Sequence, residues 1–399
     1  MAKSKSLYRW VILAVFCLIN LVIQTLWISF APITTIAAKY YESSELRIGM
    51  LSMLFMITFI PLSLPVSWLI DRYGYKLIVG IGSIIMGVFG LTRGLAGSNI
   101  SWVSASTFGI AVAQPFLLNA WTTVSAQWFP KNERATTLGI ITFASLLGSI
   151  LGLVLTPLLI DYGFDIAKVQ LFYGGFAVLS ALLFLVFTRN PPTPGLIKEG
   201  EETRALMLDG LKYALSIKSF LLYLIISFIG LSIFNGLTTW VEAIIKPKGF
   251  LPKDAGLIGA LMLIGGVVGS LIFPVLSDKS GKRKLFIQIG LFLSIPALLI
   301  FTFSNSRIFL TLSSFSIGFF LISVGPIGLQ YSAEVTSPTP TGTSNGLIQL
   351  FGQTSVVFVY IMEILRGKDG SFIISLIFSS GLLAIGFLLS FFLKEEISK

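Results

Sequence analysis

Long apolar blocks alternate with short polar segments along the whole chain, and each block is close to 20 residues long or longer. A helix needs about 20 residues to cross the ~30 Å of hydrocarbon in a bilayer. Backbone amides inside lipid must find their partners within the segment, which favours helices. The pattern therefore predicts twelve membrane-spanning helices, at roughly 9–37, 47–70, 77–96, 101–127, 135–160, 168–188, 219–244, 255–276, 285–304, 307–332, 343–365 and 371–393.

The longest polar stretch, 189–218, separates the sixth block from the seventh. Its opening prolines end the sixth helix, and the charged residues after them are typical of a solvated connector. We therefore expect an N-terminal six-helix bundle over 1–188, a cytoplasmic linker over 189–218 and a C-terminal six-helix bundle over 219–399.

The composition also indicates a membrane protein, since only 12% of the residues are charged and the mean hydropathy is +0.90. A soluble domain carries about 25% charged residues. The net charge of +10 is spread over short segments between the blocks, so we expect no nucleic-acid partner. With the N-terminus inside the cell, 18 of the 28 lysines and arginines fall on the cytoplasmic side. This bias predicts that both termini are cytoplasmic. We expect a multi-pass protein of the plasma membrane.

The chain has one cysteine, Cys17, and no histidine. A single thiol excludes an internal disulfide framework and a multi-cysteine metal site. The lack of histidine removes the commonest general base and the commonest zinc or haem ligand. We therefore predict no enzyme activity, no cofactor and no metal site.

The two halves repeat a charged loop. "DRYGYK" begins at Asp71 and "DKSGKRK" begins at Asp278, 207 residues later, and Gly139 and Gly346 are separated by the same number. Two unrelated landmarks at one spacing indicate a duplicated six-helix unit. Parallel repeats of this kind are related by an axis along the membrane normal.

The repeated loop resembles the signature loop of the major facilitator superfamily, with Ser67 in place of the glycine that the family has four residues before the aspartate. The resemblance implies an all-α membrane fold of twelve transmembrane helices in two pseudo-symmetric six-helix bundles. Three further stretches resemble the feline leukaemia virus subgroup C receptor-related transporters: "LWISFAPI", "LSMLFMITFIPLSLPVSWLIDRYG" and "GPIGLQYSAEVTSPTPTGTSNGLIQLFGQ". That family is associated with facilitated transport of choline and ethanolamine and has been linked to haem.

The repeated loop has two interpretations. As a topogenic turn it needs only Arg72 and Lys76 on the cytoplasmic side and a glycine for the tight reversal. The resemblance implies a conformational latch instead, in which the aspartates gain and lose partners as the carrier opens. The predicted gating residues are Asp71, Arg72, Gly74, Asp278, Gly281, Glu133, Arg134 and Glu334.

Polar residues inside the spans follow helical stripes, which is typical of a transport pathway. Amide and hydroxyl side chains also serve as hydrogen bonds between helices, and Trp121 and Tyr360 also suit packing or interface anchors. On the pathway interpretation, the predicted cavity-lining residues are Asn20, Trp121, Phe234, Thr238, Gln349 and Tyr360.

Trp27 lies near the middle of the first span, away from the interfacial belt where tryptophan is usual. Its π-face suits a quaternary ammonium group through a cation–π contact, although core packing is the alternative. By resemblance, Trp27, Gln114 and Gln353 match the family's ligand-site residues, while Asn235 stands where the family has a tyrosine, beside Phe234. With Gln24 from the first-span stripe, these form the predicted substrate site: Gln24, Trp27, Gln114, Asn235 and Gln353.

Acidic residues are scarce in the spans, and only Glu242 and Glu363, near the outer ends of spans seven and eleven where we expect water to reach them, are available for coupling. Proton-driven carriers usually need a buried group that titrates. We therefore predict a secondary transporter that moves a small cationic amine such as choline or ethanolamine by alternating access, acting as a monomer in the bilayer. A proton-coupled carrier for an organic anion, haem or drug is the alternative, and a non-transporting receptor or sensor is a more remote one.

Overall fold

The computed structural model describes residues 2–130, 133–189, 212–336 and 341–394, with the side chains of 2–7, 134, 135, 333 and 341–345 left undescribed. Most of the predicted linker, 190–211, lies outside the described residues. In the first half the described residues form eight α-helices: α1 Ala2–Ile28, α2 Thr34–Tyr40, α3 Glu45–Tyr73, α4 Tyr75–Leu95, α5 Ile100–Leu118, α6 Trp121–Trp128, α7 Arg134–Asp161 and α8 Ile166–Phe187. The helices of the second half are α9 Lys218–Thr239, α10 Val241–Ile245, α11 Pro252–Ser280, α12 Arg283–Phe303, α13 Arg307–Val335, α14 Thr341–Gln353, α15 Val356–Ile364 and α16 Ile373–Ser390.

The predicted number of membrane spans is confirmed, since the described residues contain twelve helical segments long and apolar enough to cross a bilayer. The chain divides into two compact units, Met1–Gly200 and Glu201–Lys399. Each unit holds six of the segments, so the all-α class and the six-plus-six organisation follow from the same hydrophobic pattern.

Glycines bring α4 and α8 into backbone contact in the first half. A methyl group on Gly94 would overlap the backbone of Leu171, and one on Gly174 would overlap the backbone of Gly90. Small residues permit this approach because lipid gives helices no hydrophobic reason to associate, which leaves close packing to hold them. The second half uses the same device between α11 and α13, where Gly269 lies against Phe319 and Gly318 lies against Met262.

The repeated loop forms a tight turn in each half. Gly74 follows α3 with φ of +83°, and Gly281 follows α11 with φ of +66°. Both values lie in the region that only glycine adopts without a steric penalty. The predicted role of Gly74 in the reversal between spans two and three therefore matches the backbone.

Four spans are interrupted where the hydrophobic pattern predicted continuous helices. The first span leaves the α-helix at Ser29 and passes through a short 3₁₀ segment that contains Pro32. The fourth span breaks at Asn119 and Ala120, one turn after Pro115, which lies inside α5. The other two breaks lie at Trp240 in the seventh span and at Thr354–Ser355 in the eleventh.

Candidate functional site

The Trp27 side chain is held in place by a hydrogen bond from its indole N–H. Trp27 lies one residue before the end of α1. Its indole Nε1 donates to the backbone oxygen of Ser52 at 3.2 Å, and the Ser52 hydroxyl donates back to the Trp27 backbone oxygen at 3.3 Å. The side chain is only partly buried. The pair of bonds to α3 fixes the ring plane while leaving part of the ring accessible, which is the arrangement that a cation–π contact requires.

Two glutamine side chains in the first half retain unused hydrogen-bonding capacity. Gln24, one turn before Trp27 on α1, has a buried Oε1 that accepts no hydrogen bond. Gln114 is 6% exposed and lies directly before Pro115 in α5, with no side-chain hydrogen bond to the described part of the chain. Buried amides are normally satisfied, so unpartnered ones are candidates for contact with a bound solute or water.

Asn20 differs from its prediction as a cavity-lining residue, because it is fully buried. Its Nδ2 donates to the Phe16 backbone oxygen at 2.8 Å, and its Oδ1 accepts a 2.7 Å bond from the indole nitrogen of Trp121. Both polar atoms of the Asn20 side chain therefore make hydrogen bonds within the protein, and the bond to Trp121 connects α1 to α6. Trp121 itself remains only partly buried, so it keeps some accessible surface.

Thr238 shows the same outcome in the second half. It is 2% exposed, and its hydroxyl donates within its own helix, to the backbone oxygens of Phe234 at 2.9 Å and Asn235 at 3.1 Å. A threonine that bonds its own preceding turn needs no other partner. In this structure the Thr238 side chain is buried and bonded within its own helix, and its role in lining a cavity stays a prediction.

Asn235 and Gln353 converge on the break in the eleventh span. Asn235 Nδ2 donates to the Ser355 hydroxyl at 2.9 Å, across from α9 to the interruption between α14 and α15. Gln353 is the last residue of α14, two positions before Ser355, and it is partly buried. Asn235 and Gln353 stay predicted substrate-site residues. Ser355 was not predicted, because its position depends on a break that the apolar pattern does not reveal.

The remaining predicted residues of the second half are more open. Gln349 and Tyr360 are exposed, with Tyr360 at 45%. Phe234 is partly buried and lies 207 residues after Trp27, the separation of the two repeated loops. Phe234 is thus the second-half counterpart of Trp27 in the duplicated unit, a relationship that the repeat spacing alone was sufficient to find.

Neither acidic candidate lies open to water as expected. Glu242, in α10, is 2% exposed, because the seventh span breaks at Trp240 and turns this segment inward. Glu363 is ion-paired with Arg366 at 3.3 Å. A nearby guanidinium favours the charged carboxylate.

The predicted gating residues have different environments in the two halves. In the second half, Arg283 bonds the carboxylate of Asp278, and its Nη2 lies 3.3 Å from Glu334. In the first half, Asp71 is exposed and makes no ion pair with described residues of that half, while the Arg72 guanidinium lies over the ring of Trp68 at 5.1 Å.

In the first half, an ion pair joins α1 to the segment before α7. Arg9 lies 3.0 Å from Glu133, and its guanidinium also covers the Phe129 ring at 5.3 Å. Arg134 begins α7, but its side chain lies outside the described residues. Arg9 was not among the predicted gating residues, because nothing in its sequence context separates it from other topogenic cations.

A cavity of about 280 Å³ lies in the second half, among the segment after α10, the end of α12 and the start of α16; its lining includes Lys248, Phe303, Asn305, Asp369 and Phe372. The Lys248 ammonium donates to three backbone oxygens at the end of α12. Two lie in its last turn, those of Phe301 at 2.6 Å and Thr302 at 2.7 Å, and the third, that of Ser304 at 3.0 Å, follows the helix. Burial lowers the pKa of Lys248 to about 8. The lysine therefore caps the helix that forms one wall of this cavity.

The fold is shared with known transporters. The chain superposes with a TM-score of 0.77 on the crystal structure of a bacterial homologue of the human lysosomal transporter Spinster, at 15% identity and over 98% of this chain and 96% of that one. The family model of the Major Facilitator Superfamily matches residues 15–360 and, in a second match, residues 242–397. The chain therefore belongs to the major facilitator superfamily and is a multi-pass membrane transporter.

Within that superfamily it is related to the feline leukaemia virus subgroup C receptor-related transporters. It is 30% identical to the choline/ethanolamine transporter flvcr2a of Danio rerio, over 100% of this chain and 89% of the relative. It is also 27% identical to the choline/ethanolamine transporter FLVCR2 of Rattus norvegicus, over 98% of this chain and 75% of the relative. Solute carrier family 49 member A3 of Xenopus tropicalis is 26% identical, over 89% of this chain and 77% of the relative. The resemblance read from the sequence is confirmed.

Proposed function

We propose that this transporter moves a small cationic amine of the choline and ethanolamine type across the membrane by alternating access. The observation that carries the proposal is the fixed orientation of Trp27, whose N–H is held by Ser52 while its ring stays partly accessible. A cation over the face of a tryptophan is stabilised most when water is excluded. The names of the related proteins support the same substrate class.

Within that class we propose a preference for ethanolamine over choline. Asn235 replaces the tyrosine that would complete an aromatic enclosure for a quaternary ammonium group. A primary ammonium instead needs hydrogen-bond acceptors, because it carries three N–H donors. Gln24 Oε1 accepts no hydrogen bond, and Asn235 uses its nitrogen toward Ser355, so both amides keep an oxygen available for such a donor.

We further propose uniport without proton coupling. The support is the ion pair of Glu363 with Arg366, which favours the charged carboxylate. Glu242, buried in α10, is a group that proton coupling would use, and the proton-gradient comparison below tests it. A monovalent cation entering a negative cell gains about 2.3 kcal/mol per 100 mV, which drives uptake without a second gradient. The bias of lysine and arginine toward the loops on the side of the N-terminus supports an orientation with both termini in the cytoplasm. We propose that the protein lies in the plasma membrane and that the monomer is the functional unit.

The test is uptake into proteoliposomes of radiolabelled choline, ethanolamine, haem and a small organic acid, each with and without a proton gradient. We expect ethanolamine and choline to enter, with a rate that follows the membrane potential and not the proton gradient. Uptake that requires the proton gradient would contradict uniport, and uptake restricted to haem or to the acid would contradict the substrate class.

The site is tested in the same assay by Trp27→Ala, which we expect to abolish amine uptake while leaving expression intact. The matched control is Trp102→Ala, since Trp102 is an exposed tryptophan of the same half, 62% accessible. Equal loss in both variants would show a general effect of removing an indole, and normal uptake by Trp27→Ala would remove the site assignment.

A further inference from the structure

Arg93 is a buried cation without a counter-ion. It lies near the end of α4, is 1% exposed and makes no ion pair with any carboxylate in the described part of the chain. Its Nη1 donates to the Leu26 backbone oxygen at 3.1 Å, and its Nη2 reaches the Ser29 hydroxyl at 3.4 Å. Its Nε–H has no acceptor. Burying a charge is costly unless an opposite charge and hydrogen bonds compensate it, and here the opposite charge is missing.

Two more buried polar side chains at this end of the first half also lack partners. The Tyr41 hydroxyl makes no hydrogen bond, and neither does the Oε1 or the Nε2 of Gln170. Tyr41 is 4% exposed and Gln170 is fully buried. Fewer than about one in ten buried polar groups lack a partner, so several at one end of a bundle indicate a ligand that completes them.

Tyr41 and Arg93 are connected through Phe30. The Arg93 guanidinium lies over the Phe30 ring at 5.4 Å, and the rings of Phe30 and Tyr41 are 6.2 Å apart. Burial raises the pKa of Tyr41, and the positive charge of Arg93 partly offsets that rise. Tyr41 therefore remains protonated and presents an O–H donor within the electrostatic reach of the guanidinium.

The glycine contacts between α4 and α8 place Gln170 at the same level of the bundle as Arg93. Gly94, next to Arg93, lies against the backbone of Leu171, which is next to Gln170. One turn away, Gly90 lies against Gly174. With the helices in backbone contact at this point, the Arg93 and Gln170 side chains both belong to the buried interface of the two helices. The nearest acidic side chain on this end of α8, Asp165, is exposed and accepts a bond from Tyr40 at 3.3 Å.

We propose that Arg93, Tyr41 and Gln170 form a buried site for a small monovalent anion such as chloride. The site offers an N–H from the guanidinium, an O–H from the phenol and an N–H from the amide, together with one positive charge. A cation is repelled by that charge, and water alone satisfies the donors without balancing it. Because Arg93 also holds Leu26, at the end of α1, a bound anion would stabilise the helix end that carries Trp27.

The test compares the melting temperature of the purified full-length protein in chloride, bromide and gluconate at equal ionic strength and pH. We expect wild type to melt higher in chloride and bromide, with a rise that saturates with halide concentration. Arg93→Gln should lose this rise. Arg47→Gln is the matched control, because Arg47 is an exposed arginine of the same half bonded only to Ser101, and it should keep the rise.

Tyr41→Phe and bromide crystals keep the proposal testable if Arg93→Gln does not fold. Removing only the hydroxyl should weaken the apparent halide affinity about tenfold, the effect of losing one hydrogen bond to a charged group. Crystals grown in bromide should show an anomalous peak among the three side chains. Equal melting in halide and gluconate, an unchanged halide affinity in Tyr41→Phe, or ordered water without an anomalous peak would each overturn the proposal.

Discussion

Arg283 Nη2 lies 3.3 Å from Glu334, and this pair ties the start of α12 to the last turn of α13. The corresponding positions of the first half, 207 residues earlier, hold Lys76 and Gln127. Lys76 is exposed, and the buried Oε1 of Gln127 accepts no hydrogen bond. Among the described side chains the two copies of the loop motif therefore differ: Asp278 belongs to a three-residue charge cluster, whereas Asp71 makes no ion pair.

This asymmetry predicts different effects of neutralising the two aspartates. Asp278→Asn removes a carboxylate that Arg283 binds, so we expect a lower melting temperature, with a loss of about 1 kcal/mol for a partly exposed pair. Asp71 makes no ion pair with the described side chains of its half, which do not include that of Arg134, so we expect Asp71→Asn to lower the melting temperature less than Asp278→Asn does. Thermal melts of both variants in the same detergent are the measurement.

Asp71→Asn should instead change transport rate, if the loop acts as a conformational latch. We expect a changed Vmax for both choline and ethanolamine with an unaltered ratio of their KM values. A changed substrate ratio would place Asp71 at the substrate site, and an unchanged rate would leave it a topogenic residue only.

Asn235→Tyr should shift selectivity toward choline. The substitution supplies an aromatic face for a quaternary ammonium group and removes the amide oxygen available to a primary one. We expect the uptake ratio of choline to ethanolamine to rise by about tenfold, equivalent to ~1.4 kcal/mol. Asn235→Leu is the control, since it breaks the bond to Ser355 without adding an aromatic ring. An equal shift in both variants would assign the effect to the lost Ser355 bond.

The link between Asn20 and Trp121 should contribute to stability and leave selectivity unchanged. Asn20→Leu removes the acceptor of the Trp121 indole and the bond to Phe16. Hydrogen bonds between helices in membranes contribute on average ~0.6 kcal/mol and up to ~1.7 kcal/mol each. We expect a measurable fall in melting temperature, with KM values for the two amines as in wild type. A selective loss of one substrate would show that Asn20 reaches the pathway.

Lys248 should make stability depend on alkaline pH. Burial lowers its pKa from the ordinary 10.5 to about 8, so between these values the unfolded chain holds the proton that the folded chain has released. Stability from this group therefore rises as the pH increases from about 8 to 10.5. We expect the melting temperature of wild type, relative to Lys248→Met, to rise across that window and to be flat below it. A relative fall would mean that the three carbonyl oxygens keep the ammonium charged.

The hydrophobic pattern was sufficient for the twelve spans, because the length of a membrane helix is set by the bilayer and not by tertiary contacts. The breaks within the spans could not be predicted from the hydrophobic pattern. Ser355 lies in an interruption whose geometry depends on the bond from Asn235 in another helix. The burial of Asn20 likewise depends on Trp121, 101 residues away. A helical stripe identifies a polar face, but only the neighbouring helix decides whether that face meets water or a partner.

Arg93 is a second residue whose burial depends on a neighbouring helix and not on its own sequence context. It lies near the end of the third predicted span, 77–96, where a cation usually reaches water, yet it is 1% exposed. The burial results from the contact of Gly94 with Leu171, which no local pattern in α4 specifies. Candidate residues that depend on one helix were found from the sequence, and those that depend on the approach of two helices were not.

The backbone contact between α4 and α8 also determines which sequence changes the first half tolerates. Lipid-facing residues of α8 such as Phe172 and Phe176 are replaceable by other apolar side chains, because nothing of the fold lies beyond them. Any side chain at Gly94 or Gly174 must instead push two spans apart. That displacement would carry Arg93 away from the end of α1, so two residues without side chains set the limits of variation around Trp27.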